Sequence, residues 1–406
     1  MPRDIDRVAL VALLLTKVRR VVPCALAPLA LSVGLAATPA LAQDTVENVS
    51  SDVQTSNDAT AIRRTVSGFF DTQLPRLTGD DLNAATTARQ AMIDAVDAGA
   101  STTYKDIYAR ELASRVEPLF GSNPASIKAR LAAGVVIQQA AERSQSDALI
   151  DPAVALMNDA SPAVAMWGIK TVRPLAAVSV RRAVPGREPL VTALRDATLR
   201  LSEEGFIAHE AYTVLRDIGG GGVSVEQDLI VDDRGREQVV TTTLDLIERR
   251  LSLYGPPSDI GSPQTPPMPV ADGVTTQLLA NRVVWDASGS EIQNRIRVDM
   301  ARLASAAGEA AAIAQDAQAD ADEETKEQLV QQRDELRQTL TSAARALQAI
   351  AGFDNQDALA AEADRTAQLP RGVDAGAIRE RVDALLSAFR TAYPSLDLEP
   401  AAPADS

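Results

Sequence analysis

From Ala59 onward, apolar residues recur three and four positions apart, the period of amphipathic helices. Ile62, Val66, Phe69 and Leu74 mark a first face, closed by Leu77-Thr78-Gly79-Asp80. Asp81 then caps a second helix through Ala88, Met92 and Val96 towards Gly99. Tyr104, Tyr108, Leu112, Val116 and Leu119 predict the next helix, stopping at Gly121-Ser122, and Asn123-Pro124 opens its partner with Ile127, Leu131 and Val135 on the face. The stretch Leu149–Leu175 holds two starts, Asp151-Pro152 and Ser161-Pro162, each a capping side chain followed by proline. Asn158-Asp159-Ala160 makes the turn between them. A fourth pair runs from Pro189 through Leu190, Leu194, Ala197 and Leu201 to Glu203-Glu204-Gly205, then through Ile207, Ala211, Val214 and Ile218.

The turns inside these pairs fall near Gly79, Gly121, Asp159 and Glu203. Their spacing of roughly 40 residues matches the period of two-helix HEAT and armadillo repeats. Leu156, Asn158-Asp159, Pro162 and Val164 resemble the HEAT pattern of an apolar first helix, an Asn-Asp turn, and a proline and valine opening the second. That pattern often has arginine after the valine, where Ala165 stands here. Asn123-Pro124 matches in part, and the outer two pairs match in period alone. The resemblance covers about residues 60–220 and implies stacked helix pairs. Pro162–Ile169 carries no charge and includes Trp167, so this helix is expected to be covered on every side, at the centre of the stack.

After Ile218 the pattern breaks at Gly219–Gly222, where a domain boundary is expected nearby. Val223–Gly235, ending in the turn-like Asp232-Asp233-Arg234-Gly235, reads as a loop or a short hairpin, and the lack of clean alternation favours the loop. Val240, Leu244, Ile247, Leu251 and Tyr254 give a helical face, a proline-rich linker follows to Pro269, and helix resumes over Val274–Trp285. Ile292, Ile296, Met300, Leu303, Ala307 and Ala310 form one long seam; Leu329, Leu336, Leu340, Ala343, Leu347 and Ile350 form another, with Gly352 as its stop. Their coiled-coil-like spacing, broken by the acidic Asp316–Glu324, predicts an antiparallel hairpin about 40 Å long. Asp374 caps a last helix through Ile378, Val382, Leu385, Phe389 and Tyr393.

Composition narrows this pattern to one fold class. Apolar residues make up 46% and aromatics only 3%, which suits an alanine-rich all-α protein. The expected order is HEAT-like repeats over 59–220, a loop, helix and Pro-rich linker over 221–269, a helical hairpin or bundle over 270–395, and an acidic tail over 396–406. Residues 1–42 read as a signal peptide: a basic Lys17-Val18-Arg19-Arg20, an apolar Val21 to Ala37, and small residues at Ala40 and Ala42. Cleavage between Ala42 and Gln43 predicts a periplasmic or secreted protein with no stable membrane span; the alternative is retention as an anchor. Residues 43–58 then form a flexible tether. The net charge of −15, more negative still without the basic signal, excludes nucleic acid as a partner. Cys24, the only cysteine, lies inside the signal, so the mature chain has no thiol.

The candidate chemistry is sparse. His209, the single histidine, precedes Glu210, but a zincin motif needs histidine where Thr213 stands. A surface position on its helix is the expectation. Asp316, Asp320, Asp322, Glu323 and Glu324 lack EF-hand spacing and its glycine, and read as a solvated helix end. Gly219–Gly222 lacks the lysine of a phosphate loop. Trp167 and Trp285 read as core rather than sugar platforms. No catalytic, cofactor-binding or metal residue is assigned. The expected role is a non-catalytic scaffold that binds a protein partner in the cell envelope. The alternatives are a carboxylate-dependent enzyme on envelope polysaccharide, or a structural protein forming a homo-oligomer through its C-terminal helices.

Overall fold

Aspartate and serine side chains set the helix starts. Asp58 accepts from the amides of Thr60 and Ala61, Asp81 from Asn83 and Ala84, Ser101 from Tyr104, and Asp374 from Ala377. The computed structural model describes residues 47–182, 187–219, 233–255 and 263–398. The expected signal peptide with Cys24, Gly220–Gly222 and the last eight residues lie outside these. The described residues carry sixteen α-helices and three 3-10 turns and no strand; Gly255 and Gln264 form an isolated bridge. The protein is all-α.

The helices are α1 (Ser51–Thr55), α2 (Ala59–Thr78), α3 (Leu82–Asp94), α4 (Thr102–Val116), α5 (Ile127–Ser144), α6 (Ile150–Met157), α7 (Pro162–Arg182), α8 (Arg187–Arg200), α9 (Gly205–Ile218) and α10 (Asp233–Leu251). After the 3-10 turn Pro269–Val274 come α11 (Thr276–Leu279), α12 (Arg282–Ala287), α13 (Ser290–Ala317), α14 (Glu323–Phe353), α15 (Asp357–Ala367) and α16 (Ala375–Ala392).

Neighbouring pairs meet in a regular way. Helix α2 packs on α4 and α3 on α5; α4 packs on α6 and α5 on α7; α6 packs on α8 and α7 on α9. Helix α10 then packs on α8, and the turn Pro269–Val274 packs on α9. Further on, α13 packs along α14, α15 lies on α14, and α16 packs on α13 and α15. The seams of α13 and α14 are buried as their spacing predicts, including Ile296, Met300, Leu303, Leu336, Leu340 and Leu347. Alanines such as Ala304, Ala307, Ala311, Ala343 and Ala344 lie between them and are fully buried.

Several expectations change. On α5 the buried face is Ala133, Val136, Ile137 and Ala140, while Ile127 is 54% exposed. The helix starts not at Asn123-Pro124 but after Ser126, whose hydroxyl accepts from the Ala129 amide. The 3-10 turn Asp147–Leu149, capped by Ser146, precedes α6, so Asp151-Pro152 lies inside the first turn rather than before it. The stretch Pro162–Ile169 is not covered all round: Val164, Ala165, Gly168 and Ile169 are buried, but Met166 and Trp167 are partly exposed. Lys170 Nζ lies 5.1 Å from the Trp167 ring centre and gives that indole a polar neighbour instead of a second apolar wall. Asp233, Arg234 and Gly235 are helical, not a turn. Gly352 does not stop α14; the left-handed residue is Asn355, at φ 57°. Helix α15, with Leu359 and Ala363 buried, had no sequence expectation.

Within the 43–58 stretch, Val49 is buried, α1 folds, and the Gln73 amide donates 3.0 Å to the Glu47 carbonyl. One apolar cluster runs from Val49 to Phe389 and includes Ile218 and Val239 on either side of the glycine run. The described residues belong to one compact unit starting at Thr45. Among them, no helix is long and apolar enough to cross a membrane.

Candidate functional site

A cleft of about 1540 Å³ lies where α8 and α10 face α13, α16 and the segment after α16. Helical spacing brings its side chains together. Arg195 and Leu199 point from α8 with Arg200 beside them, Asp245, Glu248 and Arg249 from α10, Arg302 and Ser305 from α13, and Leu386 and Arg390 from α16. Five arginines and three carboxylates line it, against a chain charge of −15.

The carboxylates of α10 are already matched. Asp245 receives Arg195 at 2.8 Å and Arg295 at 2.9 Å, and Arg295 also reaches Glu248 at 3.5 Å. The cleft arginines are less well matched. Arg200 donates to the carbonyls of Met157 and Asp159 at 2.7 and 3.1 Å, closing the C-terminus of α6. Arg249 is 3.8 Å from the exposed Glu203, and Arg302 is 3.9 Å from Asp299. Arg390 is exposed on α16 and forms no ion pair among the described residues.

Asp299 lies behind Arg302 and is 5% exposed. Its Oδ2 is buried without a hydrogen-bond partner. Burial pushes this carboxyl up to about 7, against the pull of Arg295 and Arg302 and with some help from Glu248 and Asp245.

The wall beyond α16 is built by a stacked arginine. Arg297 holds Asp354 through two hydrogen bonds of 2.9 and 3.0 Å, and its guanidinium lies 4.7 Å from the Trp285 ring and 5.1 Å from the Tyr393 ring. The Tyr393 hydroxyl donates 2.6 Å to the same Asp354. From Tyr393 the chain turns at Pro394-Ser395 and runs on as Leu396-Asp397-Leu398 along the cleft. Leu396 and Leu398 pack against the core, and Asp397 between them is exposed.

A second polar cluster lies fully inside, behind Tyr254. Arg250 and Asp272, each 1% exposed, form an ion pair. Arg250 also donates to the carbonyls of Ser202 (2.8 Å), Pro267 (3.0 Å) and Met268 (3.3 Å). Tyr212 and Tyr254 donate to Asp272 at 3.2 and 3.3 Å. Burial disfavours the charged guanidinium, but the Asp272 carboxylate more than offsets this and holds Arg250 charged. Burial pushes both tyrosine hydroxyls well above their usual range, and Asp272 adds to it. Every arm is satisfied, so the cluster clasps α9, α10 and the proline-rich segment and leaves no group over for chemistry.

The residues singled out by sequence are scattered. His209 is half-buried rather than on the surface, with Nδ1 buried and unpartnered, and Glu210 lies 3.6 Å from Lys170. Asp316 pairs with Arg379 at 2.9 Å; Asp322 caps α14, and hydrogen bonds from the Thr325 side chain and amide hold its carboxyl below the usual range. Asp320, Glu323 and Glu324 are exposed. Among the described residues no three His, Cys, Asp or Glu side chains are placed to hold a metal ion. Trp285 is core, at 4% exposed. The cleft residues themselves went unread, because they come from four helices far apart in sequence. The one available signal was Asp299, a carboxylate set next to Met300 in an otherwise apolar seam. Compared with known proteins, the chain matches no family and no curated protein.

Proposed function

We propose that the protein is an exported, non-catalytic scaffold, whose N-terminal helices form a HEAT-like stack and whose α13 and α14 form an antiparallel hairpin. The observation that carries this reading is the packing register: from α2 to α10, first helices meet first helices and second helices meet second helices. Such a register exposes a continuous surface made of equivalent helix faces, the surface on which stacked repeats bind other proteins. Export rests on the signal-like residues 1–42. Crosslinking in the native cell envelope followed by mass spectrometry tests the role. Recovery of a protein partner crosslinked to this chain is the expected result.

The enzyme reading draws on Asp299, which titrates near neutrality beside Asp245 and Glu248. Asp299 does not line the cleft and Asp245 is tied to two arginines, so neither is a free carboxylate facing a substrate. Loss of glycan from envelope preparations treated with the protein, with no partner recovered, would reverse that judgement.

A further inference from the structure

The cleft already holds one short non-helical segment of chain, Leu396-Asp397-Leu398. Leu396 and Leu398 pack against the core while Asp397 between them is exposed, so apolar and acidic residues alternate along the segment. Leu199, Leu251 and Leu386 supply more apolar surface in the same cleft; Arg390 stands over it with no ion pair among the described residues, and Arg302 has only the long contact to Asp299 at 3.9 Å. At about 1540 Å³ the space exceeds the ~300–1,000 Å³ of small-molecule sites, so it suits a length of peptide better than a metabolite. Arginine-rich walls in a strongly acidic chain select for carboxylates and against lysine-bearing segments.

We propose that this cleft docks an extended acidic segment of a partner protein, with apolar residues alternating with carboxylates, and that Leu396–Leu398 is an intramolecular stand-in covering part of the site. The inference rests on the protein-binding reading above and names the chemistry of its partner. Carboxylates pair with Arg302 and Arg390, and leucines pack beside Leu251 and Leu386. The chain's own segment competes, so the site is weaker when that segment is seated.

The test uses the full chain and a fluorescein-labelled peptide of alternating leucine with aspartate and glutamate, followed by anisotropy. Binding is expected, weakening with added salt, and absent for the matching leucine–lysine peptide. Arg390→Gln, an exposed change that leaves the core alone, should weaken it about tenfold, as should Arg302→Gln. Leu396→Ala with Leu398→Ala should tighten it, because the competing segment loosens. Equal binding of the acidic and basic peptides, no binding at all, or indifference to Arg390→Gln would overturn the proposal. The scaffold reading fails separately: crosslinks from a partner to α2–α7 alone would leave the scaffold standing and remove the cleft, whereas peptide binding with no partner in the envelope would do the reverse.

Discussion

A Cβ on Gly168 would come within 2.6 Å of the Met157 amide nitrogen and 2.9 Å of the Leu156 Cβ. Helix α7 therefore crosses α6 at a separation that only glycine allows. Gly168→Ala should destabilise by about 3 kcal/mol, while Gly352→Ala, exposed in α14 with open space around it, should stabilise by roughly 0.5–1 kcal/mol in urea unfolding. Equal effects would mean that the close crossing carries no load. Asp299 gives a pH signature. Its folded carboxyl titrates near 7 and its unfolded one near 3.8, so the folded state holds the extra proton between those values. Stability must then fall as pH rises from about 4 to 7, and it stays low above 7 because burying the ionised form is costly. Asp299→Asn should remove that loss, so its advantage over the parent should be larger at pH 8 than at pH 5. At this scale the sequence was informative where bonds are local: the caps at Asp81 and Asp374 could be read because donor and acceptor lie within one turn. Gly168 could not, because its role is defined by a neighbouring helix, and of Asp299 only its place in an apolar seam was visible, not its missing partner.

Between elements, the Arg250–Asp272 clasp binds residues 22, 48 and 60 positions apart, a separation no periodicity reveals. It explains why a proline-rich stretch read as a linker is seated instead: Pro263 and Pro266 are buried, and Arg250 holds the carbonyls of Pro267 and Met268. Asp272→Ala leaves a guanidinium buried without its counter-charge and should cost about 3–5 kcal/mol. Arg250→Met combined with Asp272→Leu should recover much of that loss in the same denaturation assay. If the double change proves as costly as the single one, the carbonyl contacts rather than the charge pair hold the segment. The face of α5 shows a related limit. Alanine and glycine carry little hydropathy contrast, so Ile127 and Leu131 drew the predicted stripe away from the buried Ala133 and from Gly134, which lies against Trp167 and Leu156.

At the scale of the whole molecule, the helical class and the long seams of α13 and α14 were legible, since aliphatic residues at four-three spacing have few other uses. The boundary expected near the glycine run did not separate two cores, because Ile218 and Val239 belong to one apolar cluster. The two tryptophans test this directly. Trp167→Phe leaves Trp285 as reporter among the later helices, and Trp285→Phe leaves Trp167 in α7. One cooperative unit predicts coincident fluorescence midpoints for both. Adding Asp272→Ala should pull the two midpoints apart, because the clasp ties α9 and α10 to the helices that follow. Separate midpoints in the parent backgrounds would show that the cluster unfolds in pieces.

The alanine seam between α13 and α14 carries a calorimetric consequence. Alanine exposes little apolar area when the chain opens, and heat capacity rises with the apolar area that water gains. The heat-capacity increment of unfolding should therefore fall below the usual ~12–15 cal/mol/K per residue, as scanning calorimetry over a range of pH would show. A small increment flattens the stability curve, so the protein should lose little stability on cooling and should resist cold denaturation better than a leucine- and phenylalanine-rich protein of equal length.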